Sequence, residues 1–105
     1  MDEKTQLWIG LVHLKPFKKN SEDFVGAYTN IITWAFDSTS FQTKAETIAA
    51  TMDLYVVEIE GEEPLAKRMS NSELSDELED MRCRAEFNRH AIVYGTLHQY
   101  SHDDA

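Results

Sequence analysis

Ala27-Tyr-Thr-Asn-Ile-Ile-Thr-Trp-Ala-Phe36, followed at once by Asp37-Ser-Thr-Ser40, decides the class of fold. In an extended chain, alternation puts Tyr28, Asn30, Ile32, Trp34 and Phe36 on one face and Ala27, Thr29, Ile31, Thr33 and Ala35 on the other. The four residues after it carry side-chain oxygens that cap a helix, and the apolar positions then change period, to Phe41, Ala45, Ile48, Ala49 and Met52. A strand therefore runs into a capped amphipathic helix, and the chain combines both kinds of element.

The same two periods recur on either side. Upstream, Leu7 to Leu14 reads as a strand closed by Lys15-Pro16, because proline has no N–H for a ladder and holds the preceding residue extended. A polar connector, Phe17-Lys-Lys-Asn-Ser-Glu-Asp23, separates it from the quoted stretch. Downstream, Tyr55–Glu60 returns to alternation, with Tyr55, Val57 and Ile59 opposite Val56, Glu58 and Glu60, until Gly61 and Pro64 stop it. Ser70-Asn-Ser-Glu73 has the spacing of a capping box, and Leu74, Leu78, Met81 and Ala85 continue as an apolar stripe, which predicts a helix over about 71–89. Ala91–Tyr100 is the closing strand.

The expectation is one α/β (α+β) domain over residues 1–105, with 1–6 and 101–105 as flexible ends. The order ββαβαβ predicts a two-layer sandwich, a four-stranded mixed sheet with two helices on one face, since right-handed crossovers that progress one way stack their helices together. The other face is then open. The drier set, Ile31, Val57, Ile59, Val93 and Leu97, is assigned to the helices; Tyr28, Asn30, Trp34, Glu58, Glu60, Tyr94, Thr96, His98 and Tyr100 are assigned to the open face.

Charge narrows the possible partners. Ten of the nineteen carboxylates lie between Asp53 and Asp80 against only Lys67 and Arg68, so nearly all of the net charge of -9 resides in that stretch. Such a field attracts basic surfaces and repels phosphate backbones and anionic lipid, which argues against nucleic acid and membrane as partners. The lysines at 15, 18 and 19 beside Phe17 are too few to reverse this. The polar start has no basic segment leading into an apolar run, and no apolar stretch approaches the roughly 18 residues of a membrane helix, so a cytoplasmic protein is expected. A single cysteine, Cys83, allows no internal disulfide.

The chemistry-bearing patterns are sparse. No phosphate loop, nucleophile elbow, zinc-protease helix or paired-cysteine motif occurs, and four scattered glycines cannot form a phosphate cradle. His98 and His102 are four apart but straddle a strand and a tail, so they do not share a helical face for a metal. Glu58 or Glu60 beside His98 would have the components of acid–base chemistry, but alternation alone brings them together. No cofactor, no metal and no enzymatic reaction are expected. The residues assigned to partner binding are the acids Glu58, Glu60, Glu62, Glu63, Asp76, Glu77, Glu79 and Asp80, with Trp34, Tyr94, His98 and Tyr100 as anchors.

A small acidic α/β chain with Glu58-Ile-Glu60 and Glu62-Glu-Pro64 before an acidic capped helix, ending in Tyr94-Gly-Thr-Leu-His98-Gln-Tyr100, resembles in general style the immunity proteins of bacterial toxin–immunity systems. The resemblance implies a cytosolic inhibitor that masks a basic toxin domain, and it transfers no site residue. Two other classes are compatible with the sequence: a sheet-face dimer enclosing a ligand or performing cofactor-free chemistry with His98, Asn30 and Trp34, and a mimic of nucleic acid. Composition leaves the oligomeric state open.

Overall fold

A computed structural model describes residues 5–17 and 25–100. Lys18 and Lys19, most of the polar connector, His102 and both chain ends lie outside the described residues. The elements are β1 (Gln6–Pro16), β2 (Gly26–Ala35), α1 (Ser38–Thr51), β3 (Leu54–Pro64), α2 (Leu65–Asn71), α3 (Asp76–Phe87), β4 (Ile92–Tyr94) and β5 (His98–Tyr100). The class is α+β. The sheet order is β3-β1-β2-β4, with β5 also on β2, and every pairing is antiparallel.

That pairing corrects the mixed sheet expected from the sequence. The first two strands form a long antiparallel pair from Gln6 opposite Ala35 to Leu14 opposite Ala27. After α1 the chain passes beyond β1 to its free side, so β3 runs in the direction of β2 with β1 between them. The crossover is thus a split βαβ unit, and the expected side-by-side parallel pair is absent among the described strands.

The helices do not share one face. Gly10 and Ile31 are register partners, as are Ile9 and Ile32, one residue along, so the two pairs point to opposite sides. Val12, Leu14, Ile31 and Ala35 pack with Phe41, Ala45 and Ala49 of α1. Leu7, Ile9 and Ile32 pack with Leu65 of α2 and Met81 and Ala85 of α3. Ile31 and Ile32 are both fully buried, which a central strand achieves only when both its faces are covered. The molecule has three layers at the Leu7–Ile9 end. At the His13–Tyr28 end, α1 covers one face and, among the described residues, no helix covers the other.

Local chemistry accounts for the helix boundaries. Asp37 caps α1 by accepting from Ser40 N–H at 2.8 Å, and Ser40 Oγ returns the bond by accepting from Asp37 N–H at 3.2 Å. The helix predicted over 71–89 is α3, shortened to Asp76–Phe87, and a separate helix, α2, precedes it where none was expected. Pro64 starts α2, whose Leu65 side chain plugs the second core, and Ser70 bonds back to the Lys67 carbonyl inside that helix instead of capping the next. Ser75 is the cap of α3, accepting from Leu78 N–H.

Two irregularities decide which side chains face out. On β3, Val56 opposes Leu14 while Glu58 opposes His13, so Val57 is an extra residue bulged outward, and a second extra residue at Gly61–Glu62 separates Glu60 from Glu63. Gly61 has φ 64°, the left-handed conformation that glycine adopts at no steric cost. On the far edge, Tyr94 opposes Ile31 but His98 opposes Tyr28, so four residues span three. That insertion breaks the expected closing strand into β4 and β5 and reverses its faces.

Candidate functional site

The uncovered part of the sheet is a band of rings. His13 on β1 and Tyr28 on β2 are register partners, and their rings stack with centroids 4.4 Å apart and planes inclined by 14°. Tyr100 on β5 leans over both, 5.6 Å from His13 and 5.8 Å from Tyr28, and its hydroxyl is hydrogen-bonded to His13 Nε2. Gly26 makes this possible, because a Cβ there would strike the Tyr100 hydroxyl and ring and the Leu14 carbonyl. Beyond His13, Tyr55 packs on Phe17 at 5.5 Å, and both residues are exposed, Phe17 the more so.

Carboxylates border the rings on one side. Glu58 opposes His13 and Glu60 opposes Leu11, so both stand on this face at the outer strand, and both are exposed. Neither is ion-paired among the described residues. Lys15, opposite Tyr55, is the cation on the same face. His98 opposes Tyr28 at the other margin.

The electrostatics favour neutral forms within the band. Partial burial, helped by Lys15, holds the His13 imidazole below its ordinary 6.5 against the opposing pull of Glu58 and Glu60. Burial, followed by Tyr28 and Tyr55, pushes the Tyr100 phenol above 10.0. With both groups neutral, the Tyr100 hydroxyl and His13 Nε2 share one hydrogen bond, whose direction follows the imidazole tautomer. The His13–Tyr28–Tyr100 group is therefore a rigid and weakly charged platform flanked by fixed negative charge.

The other acids assigned to binding have intramolecular work. Glu77 Oε2 accepts from Thr96 N–H at 2.8 Å and from Thr96 Oγ1 at 2.6 Å, which holds its carboxyl below 4.5 and ties α3 to the loop between β4 and β5. Glu79 pairs with Arg82, whose guanidinium also reaches Glu86 at 2.7 Å, and Asp80 pairs with Arg84 at 2.8 Å. Glu63 pairs with Arg68. Glu62 is turned to the α1 side by the bulge, with its Cβ beside Gly10. Asp76 is exposed in the first turn of α3, where a negative charge complements the helix dipole.

Of the predicted residues, the structure brings together Glu58, Glu60, His98 and Tyr100, with Tyr28 and Asn30 of the wider open-face set. It removes two anchors. Trp34 lies under α3, its indole N–H donating to the Ala85 carbonyl at 2.8 Å, and Tyr94 shares the face of Ile31 because of the inserted residue. His13, read from the sequence as an ordinary sheet residue, is the centre of the ring group. Its only sequence signal was its place in an apolar strand on the parity of Leu11.

No family model matches the chain, and no curated protein or solved structure matches it. Among the described residues no group of three or more histidines, cysteines or acids is placed to hold a metal ion, and no helix is long and apolar enough to cross a membrane.

Proposed function

We propose that the chain is a protein-binding inhibitor of the immunity-protein kind, and that it docks a basic partner on the uncovered half of its sheet. The observation that carries this reading is the juxtaposition of exposed Glu58 and Glu60, without an ion-pair partner among the described residues, with the His13–Tyr28–Tyr100 platform on a part of the sheet that no described helix covers. Rings pre-fixed by stacking bury large area with little loss of rotamer freedom, which suits anchors. Free carboxylates beside them speed encounter with a basic surface and exclude acidic ones. Tyr55 on β3 and Phe17 just past β1, packed on each other and both exposed, extend the band.

The partner so defined presents lysines or arginines around an apolar or planar centre, since cations pack favourably on tyrosine faces. A toxin domain that handles nucleic acid has such a surface. The test is affinity capture run side by side with the wild-type chain and the double variant Glu58→Lys, Glu60→Lys. The reading expects one basic protein retained by the first at low salt and lost by the second. Retention by both would place the docking surface elsewhere.

A further inference from the structure

At the opposite end of the sheet the charge reverses. Trp34 sits about six residues along β2 from Tyr28, roughly 20 Å away, beyond the reach of the Glu58 and Glu60 field at physiological salt. Two cations converge on it. Arg89 lies over the indole ring at 4.5 Å, and Lys44 Nζ donates to the Trp34 carbonyl at 2.5 Å. Neither has a carboxylate partner among the described residues, although Arg68, Arg82 and Arg84 are all paired. Both bases are thus held on one residue, Arg89 over its ring and Lys44 on its backbone carbonyl.

The surroundings form a groove of about 550 Å³ bounded by Trp34, Phe36, Ser40, Lys44, Arg89 and His90. These come from β2, α1 and the turn before β4. The turn is braced, since Asn88 Oδ1 accepts from His90 N–H at 2.9 Å and the Asn88 carbonyl accepts from Ala91 N–H. The indole is fixed by its bond to Ala85. Asp37, the acid that follows Phe36 in the chain, is engaged in the α1 cap. Lys44 uses one of its three donors on the carbonyl, and a stacked guanidinium keeps its N–H fork free at the ring edge.

We infer that this groove binds an organic anion, a carboxylate or phosphate group carried on a flat apolar body. Arg89 and Lys44 hold the anionic group, and the Trp34 and Phe36 rings, the second of them 60% exposed, take the apolar part. The role is separate from the docking face and survives if that face proves idle.

The test is an NMR titration of the ¹⁵N-labelled protein with phenyl phosphate, read at the Trp34 indole N–H, with the Trp8 indole as the internal control. Inorganic phosphate and benzamide are titrated in parallel to separate charge from ring. The inference expects a saturable shift at Trp34 alone, weaker with either fragment, and weakened roughly tenfold or more by Arg89→Gln, which removes a charge-assisted contact. Lys44→Gln should act likewise, and Arg89 is the safer site because it is exposed. A shift that grows linearly without saturation, that affects both indoles equally, or that persists in Arg89→Gln overturns it.

Discussion

Tyr28 lies flat on His13, with Tyr100 hydrogen-bonded to the imidazole from the third side. This arrangement favours the neutral imidazole, so the unfolded chain binds a proton more readily than the folded one between the depressed native pKa and 6.5. Stability therefore rises with pH across that window and falls as the medium is acidified through it. A proton NMR titration of His13 should show a midpoint below 6.5. Tyr100→Phe should cost about 1 kcal/mol, the worth of one hydrogen bond. A midpoint above 6.5 in the wild type would contradict the neutral platform.

Gly26→Ala tests how the platform is seated. The added methyl meets both the Tyr100 ring and the Leu14 carbonyl, and the backbone oxygen cannot step aside as a flexible side chain could. Overpacking of this kind costs roughly 1–3 kcal/mol. Chemical denaturation should register that loss, together with a changed His13 shift as Tyr100 is displaced. An unchanged His13 resonance would mean that the tyrosine does not rest on Gly26.

The second core face is tested by Met81→Ala. Met81 is fully buried between α3 and the sheet, so its truncation should cost about 2–5 kcal/mol, while Leu78→Ala, at a half-buried position on the same stripe, should cost less. Equal and negligible losses in denaturant midpoint would remove α3 from the core and expose Ile32.

Glu77 is expected to act as a tether. Its carboxyl is held below 4.5 by the two bonds from Thr96, so the stability it contributes is present above 4.5 and fades as pH falls through the lower folded value. Glu77→Gln should lower hydrogen-exchange protection of the Thr96 amide and loosen the loop between β4 and β5. Protection that stays at the wild-type level would show that Gly95 N–H on the Asn30 carbonyl, at 3.0 Å, suffices to hold that loop.

Much of this fold was legible in the sequence. Alternation located β1 and β2, and the Asp37 cap and the Phe41, Ala45, Ala49 stripe located α1, because those signals are local. What period alone could not convey was which face of the sheet each helix covers. Ile31-Ile32 carried that information, since consecutive apolar residues in a strand indicate cover on both sides, as do Leu7-Trp8-Ile9. Parity arguments for Tyr94 and Val57 failed for one reason: a single inserted residue flips every later side chain, and a bulge at Val57 or Gly95–Leu97 has no strong local signature. The candidate site was half legible. Glu58, Glu60, His98 and Tyr100 follow from parity, and the Asp80–Arg84 pair follows from i, i+4 spacing on a helix, but the partners of Glu63, Glu77 and Glu79, which are Arg68, Thr96 and Arg82, are tertiary or depend on side-chain choice.

The central claim is that free carboxylates on the uncovered sheet face steer a basic partner onto a rigid ring platform. The most direct measurement is the association rate with the captured partner as a function of salt, for the wild type and for Glu58→Gln, Glu60→Gln. The account predicts a slower association and a flatter salt dependence in the double variant, with a dissociation rate close to that of the wild type. An association rate and salt dependence that do not change would contradict it.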